Sequence, residues 1–152
     1  MRRVRARVST SPVNVGSASR RREPRTVTLI LDSGALIALE RNDRAMWRRL
    51  KSAMLAESIP VTHGGVVAQV WRGTGPRQAL LAEALAGVDV RPLNDRLGRA
   101  AGELLSRSRT SDAIDAALVL LAADGDHIVT SDVGDLEPLA ALAGRHVELV
   151  QA

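Results

Sequence analysis

Short apolar runs alternate along the chain with segments whose apolar residues recur every three or four positions. The apolar runs, rich in β-branched residues, predict strands at residues 26–31, 59–62, 88–93, 127–130 and 146–150. The periodic segments predict helices at residues 33–40, 43–58, 64–73, 76–87, 94–108, 111–125 and 133–144. This alternation predicts an α/β fold in which a parallel sheet of four to five strands is flanked by helices on both faces.

Local signals sharpen three of the predicted helices. Segment 43–58 places four apolar residues on one stripe that is expected to face the core: Met46, Leu50, Met54 and Leu55. The helix from Pro76 ends at Gly87, and a proline at the start with a glycine at the end is typical of helices. Ser111 is the expected N-cap of the helix that follows it.

The composition is that of one domain with an aliphatic core. The chain has 152 residues, of which 45% are hydrophobic, and this length is enough to bury a substantial core. It contains no Cys, which excludes disulfides, thiol catalysis and Cys metal sites. It also contains no Phe and no Tyr, so the core must be aliphatic. The longest unbroken apolar run, residues 116–123, is too short to cross a bilayer, so no membrane partner is expected.

The positive charge of the chain is concentrated near its beginning. Residues 1–25 contain eight arginines and one glutamate, which gives +7; the whole chain carries +4, so the remainder carries −3. Residues 1–26 are therefore predicted to form a disordered Arg-rich extension, and residues 27–152 the folded domain. The extension is compatible with nucleic-acid binding, with an organelle transit peptide, or with a dispensable segment that precedes the natural start.

Four aspartates stand where predicted strands end or a predicted helix begins. Asp32 directly follows the first strand, and Asp132 follows the "HIVT" strand by one residue. Asp112 and Asp115 lie at the start of an apolar helix. Because ligands of parallel sheets bind beyond the carboxyl ends of the strands, these carboxylates are expected to meet in one pocket. A hard cation such as Mg²⁺ or Mn²⁺ relieves their repulsion and activates water against phosphodiesters.

Each of these aspartates also has a purely local explanation. Asp32 can cap the helix that follows it, Asp112 can interact with the positive end of its helix dipole, and Asp132 can be a turn residue. Asp115 is harder to explain locally, because it stands where an apolar helix begins. Asp126 is expected in an exposed turn before the "HIVT" strand.

Two segments contain most of these acids: "LILDSGALIALE" and "DAALVLLAADGDHIVTSDVGDL". Together with the strand–helix order between them, they resemble the PIN-domain ribonucleases, especially VapC-type toxins of actinobacterial toxin–antitoxin pairs. The resemblance runs from about residue 27 to the end of the chain. It implies a single PIN-like domain that binds Mg²⁺, with Mn²⁺ as a substitute. Carried onto this chain, it gives Asp32, Asp115 and Asp132 as catalytic metal ligands, with Asp112 as a further candidate.

The resemblance also implies roles for residues around these ligands. Thr130, Ser131 and Asp135 are the polar neighbours of the last acidic motif. One position departs from the family, which usually has a glutamate in the helix after the second strand. This chain has Gln69 there, and an amide can ligate or hold water but brings no negative charge. Weaker metal binding is expected unless Asp112 compensates.

A protein of this family is expected to be an endoribonuclease acting on transfer or ribosomal RNA in the cytoplasm. The resemblance further implies a cognate antitoxin protein and a homodimer. Arg72 and Arg77 flank a Gly-containing loop and Arg109 closely precedes Asp112, so these arginines are candidate phosphate contacts. The three histidines have no spacing typical of a metal or catalytic site, and structural roles are expected for them.

Two other classes of function are compatible with the residues. Gln69 can mark a PIN fold whose metal site has decayed, leaving an RNA- or protein-binding module. The acidic motifs also loosely resemble those of haloacid-dehalogenase-type phosphatases and of response-regulator receivers. The phosphatases need a second aspartate where this chain has Gly34, and both families need a well-placed lysine, whereas the only lysine here is Lys51.

Overall fold

The computed structural model describes residues 24–152, which contain one five-stranded parallel sheet. The strands are β1 (Leu29–Leu31), β2 (Val61–His63), β3 (Asp89–Arg91), β4 (His127–Thr130) and β5 (Glu148–Gln151). Their order across the sheet is β3-β2-β1-β4-β5. β1 is therefore central, and its register pairs Leu29 with His127 and Leu31 with Val129 of β4.

Seven helices connect the strands of the described region. They are α1 (Ser33–Glu40), α2 (Arg44–Leu55), α3 (Gly64–Val70), α4 (Pro76–Ala86), α5 (Asp95–Ser106), α6 (Ala113–Leu121) and α7 (Val133–Leu142). α1 contacts α2, α3 and α4, whereas α6 contacts α5 and α7, so the helices form two groups. Right-handed crossovers place these groups on opposite faces, because the chain changes direction across the sheet between β3 and β4. The predicted α/β class is confirmed.

The core is aliphatic, as the absence of Phe and Tyr requires. Its largest fully buried side chains include Leu36, Ile128 and Leu139, which come from both helix groups and from the sheet. Burying one such side chain stabilises the fold by about 2 kcal/mol. No helix in residues 24–152 is long and apolar enough to span a membrane.

The predicted elements are all present, but the apolar stripe of α2 is shorter than predicted. Met46 and Leu50 are buried, whereas Met54 is 47% and Leu55 is 87% exposed. Both exposed residues lie in the last turn of α2, just before the chain turns back towards β2. Met54 instead covers Gly87, where an added Cβ would come within 2.9 Å of its sulfur.

The N-cap of α6 also differs from the prediction. Asp112 caps this helix, rather than Ser111, and its Oδ1 accepts hydrogen bonds from the amides of Ile114 and Asp115, both at 3.0 Å. A carboxylate cap gains from the positive end of the helix dipole, which a neutral hydroxyl does not.

The turn before β4 is exposed at Asp124 and Gly125, but Asp126 is buried, contrary to the expectation that it lies on the surface. Asp126 is only 2% exposed. Its carboxylate accepts hydrogen bonds from Arg25 at 2.8 Å, from the Thr28 amide at 3.0 Å and from the Ala123 amide at 2.9 Å. Arg25 and Thr28 are 101 and 98 residues away along the chain, so local pattern did not reveal this contact. Residues 1–23 of the predicted extension lie outside the described residues. Arg25, near the end of the extension, forms a salt bridge with Asp126 of the domain.

Candidate active site

The carboxyl ends of β1 and β4 form the point where the strand order reverses, and open α/β sheets bind ligands at such points. Asp32 directly follows β1, and Asp132 comes two residues after the end of β4. Both are N-caps. Asp32 accepts a hydrogen bond from the amide of Ser33 at 2.6 Å, and Asp132 accepts one from the amide of Asp135 at 3.2 Å. Both aspartates therefore cap helices, and each does so with its Oδ1 alone. The second carboxylate oxygen of each takes no part in capping.

The hydroxyl of Thr130 fixes these two aspartates relative to each other. It donates a hydrogen bond to Oδ2 of Asp32 at 2.7 Å and accepts one from the backbone amide of Asp132 at 3.0 Å. Thr130 is fully buried and Asp32 is 6% exposed, so the link is shielded from water and strengthened by the low local dielectric. A single side chain at the end of β4 thus ties together both strand ends.

The start of α6 contributes two more carboxylates. Asp112 caps the helix, and Asp115 lies in its first turn. The carboxylate of Asp115 forms no hydrogen bond with any residue in the described range, although Asp115 is partly buried. Asp115 therefore differs from Asp32 and Asp132, whose carboxylates both accept hydrogen bonds from nearby groups.

The electrostatics show that the four aspartates and Asp135 influence one another. Burial is the largest of several causes that together raise the pKa of Asp115 from 3.8 to about 7. Four negative charges add to this rise, in decreasing order of effect: Asp112, Asp32, Asp135 and Asp132. The pKa of the exposed Asp135 is also raised, mainly by the charge of Asp132. The residues expected to form the pocket are thus close enough for their charges to repel.

His63 is a residue of this region whose position the sequence did not reveal. It is fully buried at the end of β2, and its Nδ1 accepts a hydrogen bond from the amide of Gly65 at 3.1 Å. The proton therefore resides on Nε2, which donates to the carbonyl of Ile114 at 3.0 Å. Burial lowers the pKa of His63, so the ring is neutral at pH 7. It joins β2 and α3 to the first turn of α6, directly beside Asp115.

The donor atoms of the cluster suit a hard divalent cation, which prefers carboxylate oxygens. Binding a cation also relieves the repulsion that raises the pKa of Asp115. Within residues 24–152, however, no three Asp, Glu or His side chains are grouped closely enough to hold an ion. The acids interact through their charges without converging on one point.

Gln69 is exposed on α3, and its side-chain amide forms no hydrogen bond within the described part of the chain. Ser131 lies against Gly34, where an added Cβ would come within 2.7 Å of the Ser131 nitrogen. The aspartate that the phosphatase alternative needs at position 34 therefore has no room. The receiver alternative is excluded by topology, because receivers have the strand order 2-1-3-4-5.

The three candidate RNA-binding arginines have different surroundings. The guanidinium of Arg72 donates to three carbonyls at the end of α3: Ala68, Gln69 and Trp71. Arg72 therefore has a local structural role. Arg77 is exposed on α4. Arg109 lines a cavity of about 450 Å³ together with Asp135, which places it beside the acidic cluster.

Comparison with known proteins gives no relative for the chain: no protein-family model and no curated protein matches it. Function is therefore inferred from the acids at the switch point and from the residues that hold them.

Proposed function

We propose that this protein is a Mg²⁺- or Mn²⁺-dependent endoribonuclease that hydrolyses phosphodiester bonds of transfer or ribosomal RNA. The proposal depends above all on Asp115, a carboxylate without a hydrogen-bond partner in the described range, whose pKa is raised to about 7 by burial and four acids. Such repulsion costs free energy in the metal-free protein, and perturbed groups of this kind cluster at functional sites. The resemblance of the motifs around Asp32 and Asp115 to PIN-domain ribonucleases supports RNA as the substrate.

In this proposal, the chain supplies metal ligands and the residues that orient them. The ligands are Asp32, Asp115 and Asp132, with Asp112 as a further candidate. When bound, the cation supplies an activated water molecule and stabilises negative charge on the scissile phosphate. Thr130 holds the two strand-end aspartates, and His63 holds the helix turn that bears Asp115. Ligands that are already oriented lose less entropy when the reactive geometry forms.

The test compares wild type with Asp115→Asn and a control, Asp95→Asn. Asp95 is exposed on α5 and pairs with Arg99, so its replacement removes one carboxylate from another element. The proteins are incubated with total RNA and a transfer-RNA panel in Mg²⁺, in Mn²⁺ or in chelator. We expect discrete cuts that need metal, with Asp95→Asn as active as wild type and Asp115→Asn at least about 100-fold slower.

The alternative is a PIN-like fold whose metal site has decayed into a binding module. It is favoured by Gln69 and by the lack of three converging ligands within residues 24–152. Such a module cuts no RNA, and Mn²⁺ leaves its melting temperature unchanged. Both results together, obtained with wild type, would overturn the nuclease proposal.

The resemblance to VapC-type toxins extends the proposal to partners. We propose a cognate antitoxin protein that covers the acidic pocket, and a homodimer of this chain. Co-expression with a small neighbouring reading frame should give a stable complex that no longer cuts RNA. A genome with no such neighbouring frame would count against the toxin role, while leaving the ribonuclease assay valid.

A further inference from the structure

A groove of about 870 Å³ opens beside the candidate active site. It lies between α1, the start of α2 and the connection from β4 to α7. Three arginines line it, and they are called the groove arginines below: Arg41, Arg44 and Arg48. Gly34 and Ser131 line the same groove. The groove therefore has both a basic wall and a wall that belongs to the active-site loops.

The groove arginines are exposed and free to bind an anion. None of them forms a salt bridge or a side-chain hydrogen bond with another residue in the range 24–152. Arg99 on α5 differs, since it pairs with Asp95 at 2.9 Å. The one acid in the groove lining, Asp43, already caps α2 by accepting a hydrogen bond from the amide of Met46 at 2.8 Å.

The basic wall continues along one face of α2. Arg44, Arg48 and Lys51 are spaced four and three residues apart, so they follow one another on the helix surface. The Lys51 ammonium lies 5.7 Å from the centre of the Trp47 ring, which keeps it on this side of the helix. Like charges at this spacing repel one another, and an anionic partner removes that repulsion.

Two residues of the groove lining, Gly34 and Ser131, are close neighbours, along the chain, of acids of the cluster. Gly34 comes two residues after Asp32, and Ser131 lies between Thr130 and Asp132. The two groove residues approach each other so closely that a Cβ at position 34 would lie 2.6 Å from the Ser131 Cβ. A strand that follows the groove is therefore led to the ends of β1 and β4.

We infer that this groove binds the phosphate backbone of the RNA strand that enters the acidic site. The inference rests on the proposed function for its substrate. An acidic pocket repels RNA, so binding requires cations next to it, and arginine forks match phosphate oxygens. An acidic protein segment also complements the charge, but the groove is lined by the neighbours of Asp32 and Asp132, which belong to the proposed site for phosphodiester chemistry, and this favours RNA.

The experiment measures binding without cleavage. A fluorescein-labelled 12-nucleotide oligouridylate is titrated in chelator with wild type, with Arg44→Gln/Arg48→Gln, and with the control Arg96→Gln/Arg99→Gln on α5. On a single strand, each lost phosphate contact reduces the magnitude of the slope of log binding constant against log salt concentration by about 0.7. We therefore expect the groove variant to bind roughly 20-fold more weakly at 0.1 M salt, with a slope reduced by about 1.4. The control variant should stay within about threefold of wild type.

Three results would overturn the inference: no binding of the oligonucleotide by wild type, equal losses in both variants, or unchanged binding in the groove variant. Unchanged RNA binding is also the outcome expected if the groove holds an acidic protein segment. Cleavage is assayed separately, with metal. A chain that binds RNA through the groove but neither cuts it nor gains stability from Mn²⁺ refutes the nuclease and keeps the groove. A chain that cuts RNA equally well in all three forms refutes the groove and keeps the nuclease.

Discussion

Two carboxylates near opposite ends of β4 have contrasting surroundings. Asp126, just before the strand, is buried and accepts hydrogen bonds from Arg25, Thr28 and Ala123. Asp115, whose helix starts near the far end of the strand, is partly buried and accepts none from the described residues. Asp126 is neutralised by donors that the chain itself supplies, whereas Asp115 faces only other negative charges.

The difference separates a structural acid from a candidate ligand. Buried charges are normally paired and hydrogen-bonded, and Asp126 obeys that rule. Asp115 is half-buried and departs from this rule, and groups whose pKa values are perturbed in this way cluster at functional sites. Replacing the two residues should accordingly change the stability of the metal-free protein in opposite directions.

The largest expected effect is that of Asp126→Ala. It leaves the buried amides of Thr28 and Ala123 without acceptors and releases Arg25, so the free energy of unfolding should fall by about 3 kcal/mol. Urea denaturation measures the loss. The matched control is Asp124→Ala, two residues away in the same turn and exposed, which should lower the free energy of unfolding much less. If both variants lost the same free energy of unfolding, Asp126 would have no special structural role.

His63→Ala should have the next largest effect. It deletes a buried ring that accepts from Gly65 and donates to Ile114, and we expect a loss of about 2 kcal/mol. Mn²⁺ affinity should also fall, by about 10-fold or more, since residues that orient ligands commonly contribute this much. Titration of Mn²⁺ by calorimetry tests the second part. A destabilised variant with unchanged Mn²⁺ affinity would give His63 a purely structural role.

Mn²⁺ should stabilise the wild-type protein. At ten times its dissociation constant, a ligand that binds the folded state alone adds about 1.4 kcal/mol. The shift in melting temperature should be absent in Asp115→Asn and retained in Asp95→Asn, which keeps all the acids of the cluster. A shift of the same size in all three proteins would mean that the ion binds elsewhere.

The smallest effect is that of Asp115→Asn without metal, and it should be stabilising. The pKa of Asp115 is 3.8 in the unfolded reference and about 7 in the fold, so the folded state holds the proton more tightly. Stability is therefore lost as the pH rises from about 4 to about 7 and stays low above it. The variant should gain about 1 kcal/mol at pH 8, a value discounted for solvent screening, and nothing below pH 4. Melting curves in chelator at both pH values measure it, and destabilisation at pH 8 would contradict the repulsion.

The sequence predicted the layout of the fold well. Strand and helix positions follow from periodicity, which is local, and the parallel sheet follows from their alternation. Asp32 and Asp132 were expected at one edge because parallel strands end there together, and the strand order places them at the switch point. Thr130, expected near these acids, is the residue that joins them.

The remainder depends on contacts between distant parts of the chain. Ile114, which accepts from His63, is 51 residues away, and Arg25 and Thr28, which donate to Asp126, are about twice as far, so no local pattern predicts either burial. The N-cap of α6 was misplaced by one residue, since serine and aspartate both cap well and only the backbone decides between them. The basic groove was missed because its arginines share a cavity with Gly34 and Ser131 but lie outside the acidic motifs of the sequence.

The Thr130 hydroxyl has a consequence for motion at the site. It joins acids at the ends of the neighbouring strands β1 and β4, so their spacing changes only if the centre of the sheet opens. The first turn of α6, which bears Asp115, is joined to β2 by the hydrogen bond from His63 to the Ile114 carbonyl. For the proposed metal site, we therefore expect the movement that gathers the ligands to come from α6. Hydrogen exchange should show it as slower exchange in the first turn of α6 on adding Mn²⁺, with β1 and β4 unchanged.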